Sequence, residues 1–80
     1  MSKERGKVEI VKTPGVCGGR AAIAGTRMPV WFIIQWMKTH TAEEFLEDYP
    51  GLDPADLEAA FFWYLDHKDE IEHDIQENST

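Results

Sequence analysis

Cysteine is almost missing from this chain. Cys17 is the single one in 80 residues, so no internal disulfide can form, and a reducing compartment is the expected setting. No apolar run approaches the roughly 18 residues that a membrane-spanning helix requires. The N-terminal stretch from Met1 to Lys7 is polar and is followed by neither a long apolar core nor a small-residue cleavage site, so no secretory signal is expected and the cytoplasm is the default address. Internal repeats and low-complexity tracts are absent too. Cations are scarce in the second half: residues 41–80 hold Lys68 alone against thirteen acids, a balance of −12. Residues 1–40 hold seven cations against Glu4 and Glu9, a balance of +5, and the two sum to the net −7. A chain polarised this way can offer opposite faces to different partners, can associate with itself head to tail, or can simply solvate two different surfaces.

What is present belongs to a folded protein. Hydrophobic residues make up 42%, and three Trp with four Phe are too much apolar mass for a disordered tail. The length suits one domain, which buries roughly 60% of its unfolded surface and so has reason to recruit a partner. Residues 1–7 are expected to be disordered, residues 8–77 to form the domain (8–28 a β arm, 29–77 helical), and residues 78–80 to fray. Val8 to Lys12 alternates loosely and reads as a short strand. Thr13-Pro14-Gly15 is a turn signal, and Gly-rich points around Ala21 to Ala24 suggest a hairpin or two short extended arms.

From Pro29, expected at a first helical position, the pattern becomes helical. Val30, Trp31, Ile33, Ile34, Trp36 and Met37 make this helix apolar on nearly every side, and so short a chain offers little to wrap it; they are read as core or dimer-contact residues. Thr41 and Glu44 form a capping-box pattern for a short second helix that ends at Tyr49-Pro50-Gly51. Asp53 caps a third helix with Pro54 at its first position, and Leu52 and Leu57 sit at staple spacing. Leu57, Ala60, Phe61, Tyr64 and Leu65 continue one apolar stripe. Ile71 and Ile75 carry a last acidic segment, expected after a break near His67 and Lys68. The fold class is therefore mainly α, with three to four helices and a short N-terminal β ribbon, and a dimer is expected.

Short helix, turn, longer helix is the order of a helix-turn-helix unit. The third helix would read DNA, yet residues 54–66 contain Asp56, Glu58 and Asp66 and no cation, which opposes phosphate binding. Any nucleic-acid contact falls instead to Lys3, Arg5, Lys7 and Lys12, with Arg20 and Arg27 beside their Gly-rich turns. Those turns could cradle an anion, but no P-loop pattern follows, so structural turns whose arginines pair with the acidic half are the favoured reading. Cys17 lacks a partner motif for nucleophilic chemistry. His67 and His73 are spaced wrongly for one helical face. His40 reads as a helix-end cap. No catalytic constellation, metal motif or cofactor motif is found, so an enzyme is not expected.

The run from Thr13 to Val30, with Gly18-Gly19-Arg20 and Gly25-Thr26-Arg27-Met28-Pro29-Val30, followed by Tyr49-Pro50, Leu52, Leu57, Ala60, Tyr64 and His67, resembles domain-of-unknown-function family 433 over about residues 8–75. Ala21 and Lys68 stand where that family often has proline. The resemblance implies a small homeodomain-like helical fold with a β arm, commonly dimeric. It also implies an antitoxin of a toxin–antitoxin pair, similar to VapB-type antitoxins, whose partner is a PIN-like nuclease toxin. On that reading the charge split suggests that Asp66, Asp69, Glu70, Glu72, Asp74 and Glu77 meet the toxin's cationic RNA surface while Arg20 or Arg27 enters its acidic site. A dimeric helix-turn-helix DNA-binding transcriptional regulator is the alternative, and the antitoxin reading itself allows weak self-regulatory DNA binding by the dimer. Neither a membrane nor a small-molecule substrate is expected as a partner.

Overall fold

The computed structural model describes residues 8–78, so the expectations for residues 1–7, including Lys3, Arg5 and Lys7, and for residues 79–80 lie outside the described residues. Two three-residue strands, β1 (Ile10–Lys12) and β2 (Ala21–Ile23), pair antiparallel with Ile10 opposite Ile23 and Lys12 opposite Ala21. The connection between them is a wound loop. Gly15, Cys17, Gly18 and Gly19 all take positive φ, and a single 3-10 turn covers Cys17–Gly19. A second reversal follows β2, where Gly25 takes φ +81, the Ile23 N–H donates to the Met28 carbonyl at 3.0 Å, and Ala22 bridges Pro29. β2 thus has neighbours on both edges, which satisfies backbone groups that burial would otherwise leave costly. All three of its residues are buried.

Pro29 is the extended residue before the first helix, held by its bridge to Ala22, and not the first helical residue as expected. α1 (Val30–Trp36) packs against β2, α3 and α4. Its Val30, Ile33 and Ile34 are buried at the i, i+3, i+4 spacing of one helical face, while Trp31, Phe32, Trp36 and Met37 are half-buried against the core. Phe45 and Tyr49 cover the remaining side, with Phe45 at 5.2 Å from the Trp36 ring and Tyr49 at 5.9 Å from that of Phe32. The helix is thus covered in part by its own chain: β2, α2, α3 and α4 all reach it, while Trp31, Phe32, Trp36 and Met37 keep some exposure.

α2 (Ala42–Asp48) starts at a capping box in which the Glu44 N–H donates to Thr41 Oγ1 at 3.1 Å and the Thr41 N–H donates to Glu44 Oε1 at 2.9 Å. α3 (Pro54–Asp66) starts at a second one: Asp53 accepts from Ala55 and Asp56, and the Asp53 N–H donates to Asp56 Oδ2 at 2.9 Å. Each such cap contributes about 1 kcal/mol. Asp56 is fully buried in this role and is not a charge on the helix surface.

α3 and α4 (Lys68–Asn78) are separate helices. His67 leaves helical geometry at φ −138, ψ 42, while its carbonyl accepts from Ile71 and so opens α4. Its Nδ1–H donates to the Trp63 carbonyl at 2.9 Å, and its ring stacks on Trp63 at 3.6 Å. These contacts stabilise the break. Asn78, expected to fray, is the last residue of α4, and its Nδ2 donates to the Asp74 carbonyl at 2.8 Å. The buried apolar side of α4 is Ile71 and Ile75, turned toward α1.

Candidate functional site

The charge split in the sequence becomes a set of pairs between its two halves. Arg20, just before β2, donates from Nη2 to Glu77 Oε1 at 2.6 Å and from Nε to Asp74 Oδ1 at 3.3 Å. Lys12 at the end of β1 lies 2.7 Å from Glu70 Oε2 and 5.8 Å over the Trp63 ring. Lys38 donates to Glu72 Oε1 at 3.0 Å, and Tyr64 OH donates to Glu72 Oε2 at 2.5 Å, joining the C-terminal end of α1, α3 and α4 at one carboxylate. The groups respond accordingly. The Tyr64 hydroxyl, then Lys38, hold the Glu72 carboxyl below its usual range, and the Tyr64 phenol is pushed up in return. The Arg20 hydrogen bond, then His73, hold Glu77 below its usual range, and Arg20 is raised chiefly by Glu77.

The Gly18-Gly19-Arg20 motif finds its reason here. Gly18 takes φ +65, and a Cβ on it would stand 2.7 Å from Arg20 Nη1, so the arginine folds back over the glycine on its way to α4. In the second motif Thr26 Oγ1 donates to the Ile23 carbonyl at 2.8 Å and accepts from the Met28 N–H at 3.0 Å, which sets the reversal after β2. Arg27 is exposed and has no ion pair among the described residues. Its carbonyl accepts from Cys17 Sγ at 3.2 Å, which ties the half-buried thiol into the same loop.

Of the residues expected to meet a partner, Arg20, Glu70, Glu72, Asp74 and Glu77 are therefore engaged inside the chain, as is Lys12. Asp66 and Asp69 are exposed. His73, Asp74 and Glu77 bring ligand atoms within 4.8 Å of one another, a spacing a metal ion could use, but Arg20 already supplies the positive charge there. His40 lies against Trp36, with ring centroids 4.1 Å apart and planes tilted by 31°, and places Nδ1 3.2 Å from the Trp36 carbonyl at the end of α1. Sequence reasoning did not find the Tyr64–Glu72 bond, Lys38 as its neighbour, or the buried role of Asp56. Only the last had a local signal, the three-residue spacing from Asp53.

A different set of acids has no ion-pair partner among the described residues. No Lys or Arg occurs between Lys38 and Lys68, and the pairs described above all take their acids from α4. Glu43, Glu47, Asp48, Glu58 and Asp66 on α2 and α3 are exposed. Among them stand Phe61, Phe62 and Leu65, which are 47%, 61% and 43% exposed. The apolar stripe expected along α3 is thus divided: Leu57 and Ala60 face the core, Tyr64 is half-buried, and Phe61 and Leu65 face solvent. Among the described residues no helix is long and apolar enough to cross a membrane.

Fold and surface together define a small, mainly helical domain with an N-terminal two-stranded ribbon, an internal set of ion pairs and an acidic, partly apolar α2–α3 side. Residues 10–64 match the family described as a protein of unknown function (DUF433), and the chain belongs to that family. The match ends at Tyr64, short of the expected reach to residue 75. A crystal structure of a DUF433 member protein from Anabaena variabilis is similar to this chain at a TM-score of 0.78 and 38% identity, over 90% of this chain and 70% of that one. No curated protein matches the chain.

Proposed function

We propose that this chain is a binding protein without catalytic activity, the antitoxin of a toxin–antitoxin pair that neutralises a PIN-like nuclease. The observation that carries the reading is where unpaired acid remains. Arg20, Lys12 and Lys38 pair with Glu70, Glu72, Asp74 and Glu77 of α4, while exposed Glu43, Glu47, Asp48, Glu58 and Asp66 of α2 and α3 have no ion pair among the described residues. A nuclease presents a cationic surface to RNA, and an anionic protein face complements it, speeding encounter and excluding nucleic acid. Arg27, exposed and without an ion pair among the described residues, is the arginine available to approach an acidic metal site. The order of α1, α2 and α3 supports a homeodomain-like scaffold. Sequence-specific DNA reading is the weaker reading, because the solvent side of α3 carries Glu58 and Asp66 and no cation.

The test is co-expression with the product of the adjoining gene. RNA cleavage by that product should fall when this chain is added, and inhibition should weaken as salt rises. A Glu43→Lys/Glu58→Lys/Asp66→Lys variant should inhibit at least about tenfold less well. Unchanged inhibition by that variant, or no complex at low salt, would overturn the proposal.

A further inference from the structure

α3 is apolar on two adjoining sides, and among the described residues only one of them is buried. At about 100° per residue, Phe61, Leu65 and Phe62 span roughly a quarter of the helix circumference, with Glu58 between Leu65 and Phe62. Leu57 and Ala60 lie on the other side, in the core. The Phe61 and Phe62 rings are 6.3 Å apart and form one continuous patch. Phe61 also borders two apolar grooves. One is lined by Met37, Leu46, Pro54 and Leu57, and the other by Ile34, Met37 and Tyr64. Lys38 edges the second groove but is turned to Glu72 at 3.0 Å, so among the described residues no unpaired Lys or Arg lines either groove.

We propose that this side of α3, centred on Phe61, Phe62 and Leu65, is a docking site for an amphipathic helix of another protein whose flanks carry Lys or Arg. The proposal rests on the reading of this chain as a protein-binding module and names the surface and partner chemistry. Large aromatic and aliphatic side chains anchoring a helix, with charge at the rim setting its direction, is a recurrent mode of recognition. Charge decides between a foreign helix and a second copy. Two α3 helices packed antiparallel about Phe62 would set Glu58 of each copy against Asp66 of the other, a like-charge contact made twice between chains that each carry −7. A basic helix reverses the sign of both contacts. It would also meet Glu43, which lines the first groove beside Phe61.

The probe is a synthetic peptide of leucine and lysine with helical amphipathic spacing, compared with a scrambled peptide of the same composition. Titration into isotopically labelled protein should move amide signals most in residues 58–66 and around Met37 and Leu46. Phe61→Ser/Phe62→Ser/Leu65→Ser should weaken binding at least tenfold while circular dichroism stays native; Phe62→Ser alone should weaken it several-fold should the triple variant lose its fold. Equal affinity for the scrambled peptide, or shifts centred on residues 69–77, would overturn the proposal. So would sedimentation of the wild-type chain as a dimer that the Phe62→Ser variant dissociates, since the occupant would then be a second copy. No nuclease takes part in this titration. Its failure alongside intact toxin inhibition would reject the docking site alone, and its success alongside absent inhibition would reject the antitoxin reading alone.

Discussion

Ile33→Ala asks whether α1 is completed within one chain. Ile33 is 0% exposed in the middle of α1, and its neighbours in the core include Leu57, Ala60 and Ile71. The substitution removes three carbons, about 2.4 kcal/mol of transfer free energy at ~0.8 kcal/mol each. The space left behind adds about 1 kcal/mol, which gives about 3.5 kcal/mol in all, inside the range of measured Ile→Ala losses. An 80-residue domain has about 4–12 kcal/mol of stability in total, so the variant should sit near the edge of folding. At a urea slope of about 1 kcal/mol per molar, the midpoint should fall by about 3 M in tryptophan fluorescence. The midpoints of both proteins should be the same at about 1 μM and about 10 μM, because a helix sheltered by its own chain does not depend on mass action. A subunit seam behaves differently: tenfold dilution would cost a dimer about 1.4 kcal/mol. A loss under about 1 kcal/mol, or a midpoint that moves with concentration, would refute the placement of α1.

Phe62→Ser should change stability by no more than about 0.5 kcal/mol, since the ring is 61% exposed, and a urea midpoint well below wild type would show that it packs inward. Asp53→Ala removes the side-chain acceptor for the Ala55 and Asp56 N–H groups while leaving the main-chain N–H that donates to Asp56, and should cost about 1–2 kcal/mol by the same assay. Glu72 and Glu77 titrate below their ordinary range when folded, so the stability they contribute is present above that range and is lost as pH falls through their lowered values. The urea midpoint should therefore fall between about pH 7 and about pH 3, and Glu72→Gln should flatten part of that fall. Tyr64 has the opposite sign, being raised: its contribution is present at neutral pH and lost as pH rises through its raised value, and Tyr64→Phe should remove that alkaline loss. Gly18→Ala should cost about 1–2 kcal/mol, from positive φ on a residue with a side chain, and should displace Arg20 from α4, seen as loss of the Arg20 Nε–H signal's protection from exchange.

Local features were legible in advance. The capping residues Thr41, Glu44 and Asp53, the stop at Tyr49-Pro50-Gly51 and the break at His67 each depend on side chains within about four residues of one another, where backbone geometry leaves few alternatives. The apolar positions of α1 were equally plain, because periodicity needs no knowledge of a neighbour. What covers them was not. How much of α1 its own chain covers depended on how Phe45, Tyr49, α3 and α4 fold over it.

By itself, then, the amino-acid order determined the helices, their ends and the overall imbalance of charge, since each follows from short-range rules. Only the tertiary structure decided which acids are matched and which of the two apolar sides of α3 is inside. Arg20 meets Asp74 and Glu77 from more than fifty positions away, a distance along the chain at which no pattern of spacing operates. Phe61 and Leu65 share the helical spacing of Leu57, and only packing against α1 turns Leu57 inward and leaves the other two in water.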